Sequence, residues 1–243
     1  MRRRTLTVAP LLLAAACSGS STPAAAPTPA PTTAPTTAPT TEAPTATPTT
    51  EAPTPAASPT PTTTAAAPVK RFTDGDVDGD GKRDVIQPSA TLLKVTLSST
   101  GKVVTAPVHK DDPGPATLLG TGDIDGDGRA EVFLQTAEGS STQFATPYRF
   151  DGTKLVELEL DGGPARLGIG GSITHGDGFR CLSGLLEVRQ AESADGSTFT
   201  VRADRYAVQG AQLVLKSSST DKGTQGSPAV ESAYSADCGT VGD

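Results

Sequence analysis

The chain of 243 residues contains no tryptophan and no asparagine, one methionine, three tyrosines and six phenylalanines. A core rich in large aromatics is thereby excluded, and the interior must be assembled from Val, Leu, Ile and Ala. Without asparagine there is no acceptor for N-linked glycosylation. Two histidines, His109 and His175, form no His-x-x-x-His pattern, and the three cysteines form no Cys-x-x-Cys pattern. No Gly-x-Ser-x-Gly elbow or phosphate-binding loop occurs, so the motif-borne hydrolase, zinc and nucleotide chemistries have no foothold. Both histidines fall in polar turn sequence and read as loop residues, not as catalytic bases.

Composition divides the chain into three parts: residues 1–17, a Pro-Thr-Ala tract over 18–68, and a folded part over 69–243. Arg2, Arg3 and Arg4 precede an apolar run over residues 6–16 that ends in small residues before Cys17. That charged, apolar, small-residue order is the order of a secretory signal, and the run is shorter than the roughly 20 residues that span a bilayer. Leu13-Ala14-Ala15-Ala16-Cys17 resembles the lipobox of bacterial lipoproteins, with Ala14 where that family usually has a larger aliphatic residue. The resemblance implies lipidation of Cys17 and a membrane-anchored, extracytoplasmic protein exposed at the cell wall or surface. The tract that follows buries too little apolar area to offset its ordering entropy. At about 3 Å per residue in extended, proline-rich conformations it would reach on the order of 100–150 Å. It is expected to act as a spacer.

The formal charge is −7. Only Arg2, Arg3, Arg4, Glu42 and Glu51 are charged before residue 69, leaving 17 basic and 25 acidic side chains in the folded part. An acidic domain with no Lys/Arg run argues against a nucleic-acid partner. Cys17 is accounted for by processing, so Cys181 and Cys238 remain to pair in an oxidising compartment.

Two segments of the folded part repeat 47 residues apart. They are Gly75-Asp76-Val77-Asp78-Gly79-Asp80-Gly81-Lys82-Arg83-Asp84 and Gly122-Asp123-Ile124-Asp125-Gly126-Asp127-Gly128-Arg129-Ala130-Glu131. Calcium takes six to eight oxygens at about 2.3–2.6 Å, and a tight loop supplies them from positions one, three, five, seven and nine. In the first loop these are Asp76, Asp78, Asp80, the Lys82 carbonyl and Asp84. In the second they are Asp123, Asp125, Asp127, the Arg129 carbonyl and Glu131. Gly81 and Gly128 take the sixth place, where the chain turns sharply. Position twelve is Gln87 or Leu134 in place of the bidentate Glu of an EF-hand, and strand-like sequence follows both loops. The segments resemble FG-GAP/VCBS repeats, with Glu131 standing where that family has Asp. The resemblance implies two Ca²⁺ sites and propeller-type blades. A third copy, Thr174-His175-Gly176-Asp177-Gly178, keeps the glycines but one carboxylate, and no calcium is expected there.

Candidate strands run over residues 84–87, 92–97, 102–108, 131–137, 143–150, 154–160, 185–190, 198–206 and 212–216, and no segment has helical periodicity. The expected fold is all-β: about three four-stranded, propeller-blade-like repeats in a partial propeller, with a β-sandwich as alternative. The expected function is a non-catalytic, calcium-binding surface module for a cell-wall, protein or glycan ligand. The alternatives are a structural envelope protein without specific ligand, and a hydrolase or lyase on the same scaffold.

Overall fold

The computed structural model describes residues 72–111 and 113–242. Cys17 and the Pro-Thr-Ala tract lie outside the described residues. The first three strands, β1 (Val85–Pro88), β2 (Leu92–Thr96) and β3 (Val103–Pro107), form an antiparallel meander. There follow β4 (Thr117–Gly122), β5 (Glu131–Glu138), β6 (Thr142–Phe150), β7 (Leu155–Glu157), β8 (Glu159–Leu160), β9 (Gly163–Pro164) and β10 (Leu167–Gly171). The chain continues through β11 (His175–Leu182), β12 (Leu185–Glu192), β13 (Thr198–Gln209) and β14 (Gln212–Thr224). A single helical turn, α1 (Pro228–Glu231), and β15 (Ala236–Asp237) complete it. The second sheet has the order β4-β5-β6-β10-β11-β12-β13-β14-β8-β9, with β7 on β6 and β15 on β11. Its terminal strands do not pair, so the all-β fold is not closed into a barrel.

Strand β5 explains how the sheets stack. Its Val132-Phe133-Leu134 run is buried on both faces, as expected for a strand covered on two sides. Val132 and Leu134 pack with Leu93, Val95 and Val104 of the small sheet, while Phe133 points the other way. There it stacks on Phe179 of β11, ring centroids 5.5 Å apart, within a second cluster containing Leu186 and Leu213. Each such fully buried aliphatic side chain contributes about 1.5–3 kcal/mol from burial. Sheet stacking face to face fits the sandwich alternative.

Three expectations need correction. The strand expected over 154–160 is two, because Leu158 turns into the core between β7 and β8. Strand β7 stays on β6, and β8 crosses to pair with β14. The third loop does not exist: His175 to Gly178 run inside β11, with Gly176 opposite Ala191 of β12. Units two and three share one sheet, because β10 hydrogen-bonds to β6 through Leu167↔Ala145. Strands β4, β10 and β11 are not among the strands expected from sequence, and each contains glycine. In β4 and β11 those glycines receive the C-terminal segment. A Cβ on Gly176 would lie 2.4 Å from the Tyr234 ring, and one on Gly122 would meet Cys238. Glycine within a strand here marks close approach of another chain segment.

Two ties hold that segment and its sheet. Cys181 near the end of β11 and Cys238 after β15 are joined as a disulfide, with Cα atoms 4.8 Å apart and a sequence separation of 57. Nearby, Glu187 of β12 has no exposed surface and accepts Nε–H bonds from Arg180, Arg189 and Arg205 at 2.7–2.8 Å. Burial alone would raise its pKa, but the hydrogen bonds from Arg205, Arg189 and Arg180 outweigh it and hold the group at about 2.

Breaking the disulfide by Cys238→Ser should lower stability by about 4 kcal/mol on the chain-entropy estimate for a loop of this length. Denaturant titration of the oxidised and reduced chain measures this, and free alkylation of both thiols in the native protein would contradict the bridge. The depressed pKa of Glu187 makes its contribution present above about pH 4.5, and that contribution disappears as pH falls toward 2. Solvent reaching the guanidiniums reduces it to on the order of 2 kcal/mol. Acid unfolding of Glu187→Gln should therefore be flatter between pH 4.5 and 2 than that of the wild type.

Candidate metal centre

In each repeated loop an aliphatic residue stands between the first two acids. Val77 and Ile124 are fully buried, Val77 in the core facing the small sheet and Ile124 in the second cluster. Anchoring at position two leaves positions one and three to carry their carboxylates along the loop. The chain turns back through glycines at φ +80° and +87° (Gly79, Gly81) and +74° and +85° (Gly126, Gly128), a region that β-carbon-bearing residues avoid.

The first loop closes with the Asp84 N–H donating to the Gly75 carbonyl at 2.8 Å. Asp76 Oδ1 accepts from the Gly79 and Asp80 N–H groups at 2.8 and 3.0 Å, and Oδ2 from Gly81 at 2.8 Å. Asp84 accepts from the N–H groups of Val77, Asp78 and Ser98. The second loop repeats the plan. Asp123 accepts from Gly126 and Gly128 at 2.7 and 2.9 Å, and Glu131 Oε2 from Ile124 at 2.7 Å.

This geometry brings one oxygen each of Asp76, Asp78 and Asp84 within 4.8 Å of one another, and likewise of Asp123, Asp125 and Glu131. Both acidic clusters can hold a metal ion, and a donor set of carboxylate oxygens alone suits a hard cation. Asp80 and Asp127 stand outside these triplets. Asp80 accepts from the Lys82 N–H and the Ser98 hydroxyl. Asp127 accepts from the Arg129 N–H at 2.8 Å and faces the guanidinium of the same residue at 2.7 Å.

Electrostatics also call for a cation. Asp76, Asp84 and Glu131 are 2%, 5% and 1% exposed. Burial holds Glu131 well above the ordinary carboxyl range, against the pull of the Ile124 N–H, and the Asp125 charge adds to the rise. Burial likewise raises Asp84 against the N–H groups of Ser98 and Val77, with the Asp78 charge adding to it. Asp123 is raised by burial against the Gly128 and Gly126 N–H groups, with help from the Asp125 and Asp127 charges. The loops differ in one respect. Arg149 of β6 lies 3.0 Å from Asp125 and 3.4 Å from Asp127, whereas no described guanidinium is in ion-pair range of Asp76, Asp78, Asp80 or Asp84. The second loop is partly neutralised from within; the first is not.

The two loops also touch. The Ala130 N–H donates to the Asp76 carbonyl at 2.7 Å, and the Arg129 side chain lies over Gly79. Asp74 accepts from the hydroxyls of Thr121 and Thr240, tying the first loop to β4 and the C-terminal segment.

Elsewhere, His109 Nδ1 is 2.6 Å from Glu157, which also accepts from the Tyr148 hydroxyl at 2.8 Å. His175 pairs with Asp177 at 2.8 Å. Both pairs escaped the sequence reading, as did the arginines around Glu187. Glu187 and Arg189, two apart on one strand and so on one face, were the visible fragment of that cluster; the other arginines come from neighbouring strands. Comparison with known proteins adds no relative: no family model, curated protein or solved structure matches this chain.

Proposed function

We infer that the chain is a calcium-stabilised binding or adhesion module displayed at the cell surface on a lipid-anchored stalk. The observation that carries the reading is the pair of acidic triplets, largely buried and built on one repeated loop plan. Buried carboxylates packed this closely are costly unless a cation compensates them. Calcium suits the all-oxygen donor set better than magnesium, which demands rigid octahedral geometry and retains its waters. Asp80 and the Lys82 carbonyl would complete the first site beside Asp76, Asp78 and Asp84. Asp127 and the Arg129 carbonyl would complete the second beside Asp123, Asp125 and Glu131. The likeness of the loops to FG-GAP/VCBS repeats supports the same reading, with the two loop-bearing units as stacked blades of a partial propeller. A signal-like head ending in Cys17 supports the anchor, and the spacer supports display away from the membrane. The ligand in this reading is a cell-wall, protein or glycan surface, and the domain is not an enzyme.

Calorimetric titration of the full chain should give two calcium events with dissociation constants of about 10⁻⁴–10⁻³ M and a rise in melting temperature. No heat and no shift at millimolar calcium would refute it. Asp78→Asn should reverse sign with conditions. In chelator it should stabilise by about 0.5–1 kcal/mol, by removing one of three mutually repelling charges. In millimolar calcium it should destabilise relative to the wild type, because a ligand is lost. The same sign in both conditions would exclude metal at the first loop. For the anchor, mature protein should partition into detergent and Cys17→Ser should not; mass spectrometry showing an unmodified Cys17 at the mature N-terminus would refute it.

A further inference from the structure

The arginines around Glu187 leave a charge imbalance that the fold does not resolve. Arg180 of β11, Glu187 of β12 and Arg205 of β13 are direct cross-strand neighbours in register. Arg189 stands two residues along β12 on the same face. All three guanidiniums aim Nε at the single carboxylate, which has no exposed surface. Of their outer nitrogens, only Nη1 of Arg189 has a described partner, the Ser232 hydroxyl. Among the described residues, Glu187 is the one carboxylate in ion-pair range of the three. Asp237 stands beside Arg180 in register on β15 without forming a pair. Three positive charges against one leave a net positive patch on a domain that carries an acidic excess.

The patch is open to solvent. Side-chain exposure is 31% for Arg180, 14% for Arg189 and 45% for Arg205. Ser217 of β14 extends the row beyond Arg205 on the same face. Glu187 fixes each guanidinium through Nε, and the Nη groups of Arg180 and Arg205 have no described partner. Guanidinium N–H groups are the donors that recognise carboxylate, sulfate and phosphate. Like charges gathered this closely repel, and an external anion removes that repulsion as well as filling the open donors.

We propose that Arg180, Arg189 and Arg205 form a binding site for an oxyanion group, with Glu187 as the positioning residue that holds the guanidiniums in place. The recognised chemistry is a sulfate-, phosphate- or carboxylate-type group, presented either free or on an anionic polymer. The site is independent of the acidic loops and faces a different charge of ligand.

The test uses the full chain at fixed ionic strength and fixed calcium, with sodium sulfate as free anion, dextran sulfate as polymer, and neutral dextran and chloride as controls. Saturable binding of sulfate or dextran sulfate, and none of the controls, is expected. Arg180→Ala and Arg205→Ala should each weaken it by about tenfold or more, the loss of a charge-assisted hydrogen bond. Arg202→Ala, on the opposite face of β13 and paired with Asp204, should leave it unchanged. Arg205→Gln still donates to Glu187 without charge and serves if the alanine variant does not fold. Binding of both ligands, or of sulfate alone, identifies a site for free anions, and binding of dextran sulfate alone identifies a polymer site; both support the proposal. No saturable binding, or binding that survives loss of Arg180 and Arg205, overturns it.

Discussion

Repulsion among Asp76, Asp78 and Asp84, and among Asp123, Asp125 and Glu131, acts on two loops that touch each other and are anchored in different hydrophobic clusters. Each triplet lies within the reach of a single ion, and its innermost members have lost nearly all contact with water. Charge so placed must be compensated locally, because the interior screens it poorly. The backbone does part of this: each loop folds its N–H groups onto the first and last acids, and the glycines give the turn its left-handed steps. Val77 and Ile124 then fasten the loops to the core on either side of β5. The loops are thus joints between hydrophobic clusters as well as candidate ion sites, and an ion bound there would stabilise packing well beyond its ligands.

The molecule neutralises buried acid in three ways. The first loop offers its carboxylates N–H groups and the hydroxyls of Ser98 and Ser99, with no guanidinium at hand among the described residues. The second adds Arg149 and Arg129, and Glu187 relies on three arginines outright. The pKa directions follow the series. Asp84 and Glu131 are raised by burial that their hydrogen bonds do not overcome, whereas the arginines take Glu187 down to about 2. A guanidinium is a permanent counter-charge and makes the acid part of the scaffold. Its scarcity in the loops is what leaves room for an exchangeable cation.

How much of this could be read from sequence depends on whether the feature is local. The acidic loops were legible in part. Alternate acids and glycines act within one turn of chain and bring Asp76, Asp78 and Asp84, and Asp123, Asp125 and Glu131, together, whereas Asp80 and Asp127 stand outside those triplets. Strands β1–β3, β5 and β6 were legible because β-branched and apolar residues run continuously between turns. Strands β4, β10 and β11 were not, since Gly120, Gly168 and Gly176 look like breakers until the segment that covers them is known. The third loop copy failed for the same reason: its glycines are bare to admit Tyr234 and the Ser232–Ser235 backbone, not to turn. The arginine cluster was out of reach, because register across three strands places its members together.

The C-terminal segment shows why these nonlocal features belong together. It crosses β11 at Gly176 and Gly178, is bridged to Cys181 through Cys238, and reaches β4 where Thr240 donates to the Thr121 carbonyl at 2.8 Å. Thr121 and Thr240 both bond Asp74, one residue before the first loop, and Thr121 also accepts from the Gly75 N–H at 3.0 Å. Upstream, Ser232 holds Arg189 beside Glu187. One strap therefore spans from the arginine cluster to the entrance of the first acidic loop, with the disulfide between. Its neighbours had to give up side chains to let it lie flat, so glycine content in these strands records the strap's path. A side chain at Gly178 would displace the strap where it crosses β11, although Gly178 belongs to neither acidic loop.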